Sequence, residues 1–180
     1  MIKKILALAG AALLCLSLSA CATTGEQLPT LALPETQTSS GVESGTETAA
    51  PDPVPQDDYE DNLDGLCQYM EANYIVTGDP VEMAYETIGA SDGFRYRFKY
   101  NGVTLQVEFY EFDLNNLNEK GQACLDSVKE TGKFTMLDNQ VPATLSDNGK
   151  YLMIYTDAND SEENKAQQER AQELFTGFYA

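Results

Sequence analysis

Residues 94–111, FRYRFKYNGVTLQVEFYE, constrain the fold more than any other stretch of the chain. Phe94, Tyr96, Phe98 and Tyr100 alternate with Arg95, Arg97 and Lys99 as far as Asn101-Gly102. A period of two marks a half-buried strand, and Asn-Gly accepts the positive φ angles of a two-residue type I′ turn. Counting outward from that turn pairs Tyr100 with Val103, Phe98 with Leu105, Tyr96 with Val107 and Phe94 with Phe109. One face of this hairpin is wholly apolar and has to be covered. The other sets Arg95 against Glu108, Arg97 against Gln106 and Lys99 against Thr104, the pattern of a solvated sheet surface.

The elements able to cover the apolar face lie on both sides of the hairpin. In YEDNLDGLCQYMEANYIV, Leu63, Leu66, Cys67, Met70 and Tyr74 recur at helical spacing. A second short helix is expected after Asp79-Pro80, through Val81, Ala84, Tyr85 and Ile88. Leu117, Gly121, Cys124, Leu125 and Val128 mark a helix ending at Gly132. A strand over Phe134 to Leu137 follows, then a hairpin turning at Asn148-Gly149. Its return strand YLMIYT is apolar on both faces and so belongs inside the sheet. Asp160 is the expected cap of a last helix, with Glu163 three residues on. Ala171, Leu174, Phe175 and Phe178 dock its end, and its polar first half projects into solvent. Asp58 to Ala180 is thus expected to be a single small α+β domain. An antiparallel sheet of four or five strands is packed on one face by three or four helices.

That domain carries 23 acids and 9 bases, a net charge of −14 within the chain's −18. Nucleic acid is therefore not an expected partner, and anionic lipid surfaces are poor ones. Arg95, Arg97 and Lys99 are the exception: no base separates Lys4 from Arg95, then three share one face within five residues. They are a candidate anion patch, although a row of charges on a wet sheet face needs no ligand.

Ahead of the domain, Lys3 and Lys4 precede an apolar run from Ile5 to Leu18, the layout of an export signal over residues 1–20. Leu18, Ser19 and Ala20 then run into Cys21, and this quartet resembles the lipobox of bacterial lipoproteins; Cys15 lacks the same flanks. The resemblance implies that Cys21 takes a diacylglyceryl group on its thiol, that cleavage falls before it, and that the chain sits on the outer face of the bacterial cell membrane. Two acyl chains hold firmly where one binds reversibly. Residues 21–57 hold five of the seven prolines and six acids with no base, and they read as a disordered tether. As a flexible coil it averages roughly 30 Å end to end, with a limit of about 120 Å. The whole is similar to the small surface lipoproteins of Gram-positive bacteria, without a diagnostic motif in the globular part.

The chain has no histidine. That excludes Ser-His-Asp and Cys-His nucleophile pairs and imidazole metal sites. The domain holds only Cys67 and Cys124, too few for a structural zinc, and no glycine-rich phosphate loop; no cofactor is implied. The two thiols are equally compatible with a disulfide and with two buried free cysteines. DANDSEEN, at Asp157 to Asn164, looks like a calcium loop but puts Glu162 at the required glycine and Gln168 at the closing glutamate, so it reads as a strand-to-helix loop. The leading functional expectation is a membrane-anchored, non-catalytic domain binding a protein, peptide or small ligand. The alternatives are a carboxylate- or tyrosine-based enzyme acting on cell-wall polymers, or a subunit of an envelope assembly.

Overall fold

The chain alternates short helices and strands: α1 (Leu63–Ala72), β1 (Val81–Glu82), β2 (Asp92–Tyr100), β3 (Val103–Glu111), α2 (Glu119–Thr131), β4 (Lys133–Met136), β5 (Asn139–Pro142), β6 (Thr144–Leu145), β7 (Tyr151–Thr156) and α3 (Glu162–Thr176). The computed structural model describes residues 27–34 and 51–180; Leu18, Ser19, Ala20 and Cys21 lie outside them. A five-stranded antiparallel sheet runs in the order β1-β2-β3-β7-β6, and β4 and β5 form a separate two-stranded ribbon. This is the expected small α+β domain.

The hairpin forms in the register that its turn dictates, from Tyr100–Val103 out to Asp92–Glu111, with Asn101 at φ 47° and Gly102 at φ 80°. Its apolar face meets α1 and α3. Leu63, Leu66, Cys67 and Met70 lie along one side of α1, and Ala171, Leu174 and Phe175 along one side of α3. Between them Phe98, Leu105, Val107 and Phe109 are fully buried. Phe109 stacks on Phe175 at 6.1 Å between centroids and meets Tyr96 edge-on at 6.2 Å. Such pairs add about 0.5–1.5 kcal/mol each beyond area burial.

Four local expectations are corrected. α1 stops at Ala72 because Asn73 turns back, its amide donating to the Tyr69 carbonyl at 2.9 Å. Tyr74 then takes φ 59° and swings outward, and Ile75 and Val76 fill the core instead. After Pro80 there is a strand and a 3-10 turn, Tyr85–Thr87, rather than a helix: Val81 and Glu82 pair with the free edge of β2 at Arg95 and Phe94. The cap of α3 is Ser161, which accepts from the Asn164 amide, and not Asp160. The polar first half of α3 is partly buried, with Gln167 donating to the Tyr74 carbonyl at 2.8 Å.

The layering also differs from expectation. The sheet is covered on both faces, because Tyr110, Leu152 and Ile154 give its second face an apolar end, which joins Phe112 beneath α2 and the β4–β5 ribbon. β7 is accordingly buried on both sides, as its unbroken apolar run requires.

Part of the stretch read as tether is built into the domain. Leu31, 6% exposed, joins the first-face core, and its N–H donates to the Lys99 carbonyl at 2.8 Å while Lys99 N–H donates to the Pro29 carbonyl at 2.6 Å. Gly78, at φ +90°, makes room for this strap: a Cβ there would come within 2.4 Å of Pro29 Cγ. Further on, Val54 N–H donates to Asn73 Oδ1, and Tyr179 N–H donates to Gln56 Oε1. Composition argued against order here, but one leucine and two backbone hydrogen bonds on an open strand edge suffice for a short strap.

Candidate functional site

β2 carries the basic row, and pairing with β3 fixes what each cation faces. Arg97 and Lys99 are exposed at the end near the Asn101-Gly102 turn, and Lys99 Nζ donates to Thr104 Oγ1 at 2.8 Å. Arg95 lies further back and is half-buried, its Nε enclosed without a hydrogen-bond partner among the described residues. The three cations are therefore not one convergent site: two share an open surface and the third sits at the margin of the covered one.

Beside Arg95 the second face is not wet. Glu108 is 7% exposed and accepts from Tyr110 Oη at 2.7 Å and from Gln106 Nε2 at 2.8 Å. Burial pushes the Tyr110 hydroxyl above its ordinary range, the bond to Glu108 adds to this, and Arg95 opposes it. The legible sign was Tyr110 following Glu108 at the same parity, an aromatic on what would otherwise be the solvated face.

A second polar cluster was not visible in the sequence, because its members are distant along the chain. Lys150 Nζ lies 3.3 Å from Asp61 Oδ1 and 3.2 Å from Glu111 Oε1, and it donates to the Asp61 carbonyl at 2.6 Å. Tyr151 Oη donates to Asp61 Oδ1 at 2.7 Å, and Leu63 N–H donates to Glu111 Oε2 at 2.8 Å. Burial, and then Asp61, raises the Tyr151 hydroxyl. The two carboxylates are bridged by an ammonium and satisfied from within, so the cluster clamps the start of α1 to β3 and β7. Wall-polymer cleavage requires two carboxyls that differ in environment and flank open space.

Cys67 and Cys124 are both unbridged and buried. The disulfide alternative is thereby corrected: Cys67 belongs to the first-face core and Cys124 to the second, with the sheet between them. Burial pushes the Cys67 thiol up to about 12 against a hydrogen bond from Tyr96, and the Cys124 thiol up to about 11. Neither is an activated nucleophile, which requires a depressed pKa. Cys124 lines a cleft of about 510 Å³ with Ile88, Phe134, Met136 and Leu137.

Within the DANDSEEN loop, Asp157, Asn159, Ser161 and Asn164 bond to one another. Asp157 Oδ1 accepts from Asn159 N–H, Asn159 Oδ1 accepts from Ser161 N–H, and Asn164 donates to Asp157 Oδ2 and accepts from Asn101. This network ties the hairpin turn to the start of α3. Among the described residues no three His, Cys, Asp or Glu side chains are grouped to hold a metal ion, and no helix is long and apolar enough to cross a membrane.

No protein-family model matches the chain, and neither a curated protein nor a solved structure resembles it significantly.

Proposed function

We propose that the protein is a lipoprotein of the outer face of the bacterial cell membrane, anchored through Cys21, whose globular domain binds a protein, peptide or small ligand without catalysing a reaction. The observation that carries the reading is the quartet Leu18-Ser19-Ala20-Cys21 behind a basic, apolar leader. A thiol at that place is the nucleophile able to form the thioether, and two acyl chains then give a lasting hold. The non-catalytic half of the reading is supported by the state of the polar groups. The carboxylates of Asp61, Glu108 and Glu111 accept hydrogen bonds or ion pairs from neighbouring side chains and backbone, and both domain thiols are buried.

The test is mass spectrometry of the protein purified from membranes, together with fractionation of Cys21→Ala. The expected outcome is an N-terminal Cys21 carrying diacylglyceryl mass, and loss of membrane association or of processing in the variant. An unmodified N-terminus, or unchanged fractionation of Cys21→Ala, contradicts the anchor.

A further inference from the structure

We propose that the outer edge of β4, where it fronts the cleft beside α2, takes a short extended peptide as an added strand, with an apolar side chain in the cleft and a carboxylate at Lys120. This ligand class rests on the non-catalytic binding proposed above and narrows it to one site.

The backbone of β4 points to a peptide. Its one strand partner among the described residues is β5. The ribbon closes at Met136–Asn139 through Leu137 and Asp138, at φ 48° and 64°, the two positive angles of a type I′ turn. Such a turn makes the closing pair a hydrogen-bonded one, and Ala143 N–H, donating to the Gly132 carbonyl at 3.0 Å, keeps the same phase at the other end. Lys133 and Thr135 therefore turn their backbone groups away from β5. On that side Ser127 Oγ donates to the Lys133 carbonyl at 2.8 Å, and Thr131 Oγ1 does so at 3.1 Å. Thr135, two residues nearer the tip, has no such neighbour. Its Oγ1 accepts from Gln140 Nε2, but its N–H and C=O have no partner among the described residues.

The cleft of about 510 Å³ lies against this edge, with Thr135 in its wall and Ile88, Cys124, Phe134 and Met136 as its apolar lining. An open donor and acceptor on one strand residue call for an acceptor and a donor at strand spacing. A peptide residue supplies both, whereas an aliphatic acid supplies acceptors alone. Ser127 and Thr131 close the edge at Lys133, so the added strand is only one or two residues long and its binding is weak.

Leu137 is an independent sign. It is 85% exposed and lines the same cleft. A leucine at positive φ is strained where asparagine or glycine is not, and an exposed one adds nothing to the core. Strain without burial sets an apolar contact at the cleft's mouth.

Lys120 is the charged group in the lining, and it forms no ion pair among the described residues. Glu86, Glu119 and Asp138 adjoin lining residues along the chain without lining the cleft themselves. They cancel long-range attraction for an anion. Lys120 therefore acts at hydrogen-bond range, on a carboxylate that the strand contact has already brought in.

Binding is measured on the full-length lipoprotein in phosphatidylcholine nanodiscs, by anisotropy of three fluorescein-labelled peptides. These are Thr-Val-Thr-Leu with a free carboxyl terminus, the same peptide amidated, and amidated Thr-Val-Glu-Leu. The free acid, or the glutamyl peptide if the carboxylate is a side chain, is expected to bind saturably, several-fold more tightly than the plain amide, and to slow hydrogen exchange at the Thr135 amide. Thr135→Pro removes the outward N–H and no ladder bond, and should abolish saturable binding. Leu137→Asn suits the positive φ, so it should weaken the peptide several-fold while leaving the urea midpoint equal or higher. Lys120→Gln should erase the preference for a carboxylate. Unchanged affinity in these variants, or binding that leaves Thr135 exchange as it was, overturns the site. Equal affinity for the three peptides overturns the carboxylate contact, and octanoate competing as well as the peptides overturns the peptide class. Peptide recovered cleaved overturns the non-catalytic reading beneath this one; intact peptide with no saturable binding overturns this proposal alone.

Discussion

Across the first face of the sheet, α1 and α3 seal Phe98, Leu105, Val107 and Phe109 completely, whereas across the second α2 and the β4–β5 ribbon cover only the end around Tyr110, Leu152 and Ile154 and leave Arg97 and Lys99 in solvent. Both faces arise from the same strands, so the difference lies in side-chain parity. The first face of the hairpin is apolar along its whole length, and the second changes from cationic to aromatic between Arg95 and Tyr110. An uninterrupted apolar face commits all its area to stability. A divided one pays partly in buried polar groups, Glu108 among them, and keeps an open end free for contact.

The largest expected effect tests this division directly. Phe109→Ala removes a fully buried ring held between Tyr96 and Phe175 and should cost about 3–5 kcal/mol. That is a large share of the roughly 5–15 kcal/mol available to a domain of this kind. Arg97→Ala, on the open end, should shift stability by no more than about 0.5 kcal/mol. Urea unfolding of the two variants measures the contrast, and comparable midpoints would erase it.

A smaller effect is expected from the polar seam. Glu108→Ala leaves the buried Tyr110 Oη without its acceptor, and also frees the half-buried Gln106 Nε2, at a cost of about 1–3 kcal/mol. Tyr110→Phe in the same chain should return part of that loss, because the second substitution removes a donor that the first has stranded. A double-mutant cycle reads the coupling. Strict additivity would mean that the carboxylate and the phenol act independently, and that the seam is not a unit.

What the sequence disclosed and what it hid follow from the range of the interactions involved. The hairpin register was legible to the residue, since Asn101-Gly102 fixes it locally and the alternation admits one phase. α2 was legible for a similar reason, its apolar side and Gly132 lying within one short window. The second helix was misread because Val81 and Glu82 are recruited by an unpaired edge of β2, a partner ten or more residues away. The strap at Leu31 was hidden by its surroundings: proline and threonine suggest disorder, and nothing local announces that Gly78 leaves a gap for Pro29. The Asp61–Lys150–Glu111 clamp was beyond reach because it joins α1, β3 and β7, and the separation of Cys67 from Cys124 required knowing that α1 and α2 lie on opposite faces.

The smallest effect has the opposite sign. Tyr155 projects into the first face, and its hydroxyl is buried with no hydrogen-bond partner among the described residues. Burial, then Asp157 and Tyr100, raises its pKa above the ordinary tyrosine value. A group whose folded pKa is raised contributes its stability fully below the unfolded value of about 10, and loses it as pH climbs from there toward the folded value. The unfolded chain ionises first, and so alkali favours unfolding. Tyr155→Phe removes both the unsatisfied hydroxyl and this titration. It should therefore stabilise the domain by up to about 1 kcal/mol near neutral pH, with the advantage over the parent widening above pH 10. Tyr110→Phe on the second face is the informative counterpart: its hydroxyl is raised as well, but it donates to Glu108, so its removal should destabilise at neutral pH. Urea midpoints of both variants at about pH 8 and about pH 11 decide the matter. A loss for Tyr155→Phe at the lower pH would show that the hydroxyl has a partner, and the two faces would then satisfy their polar groups equally well.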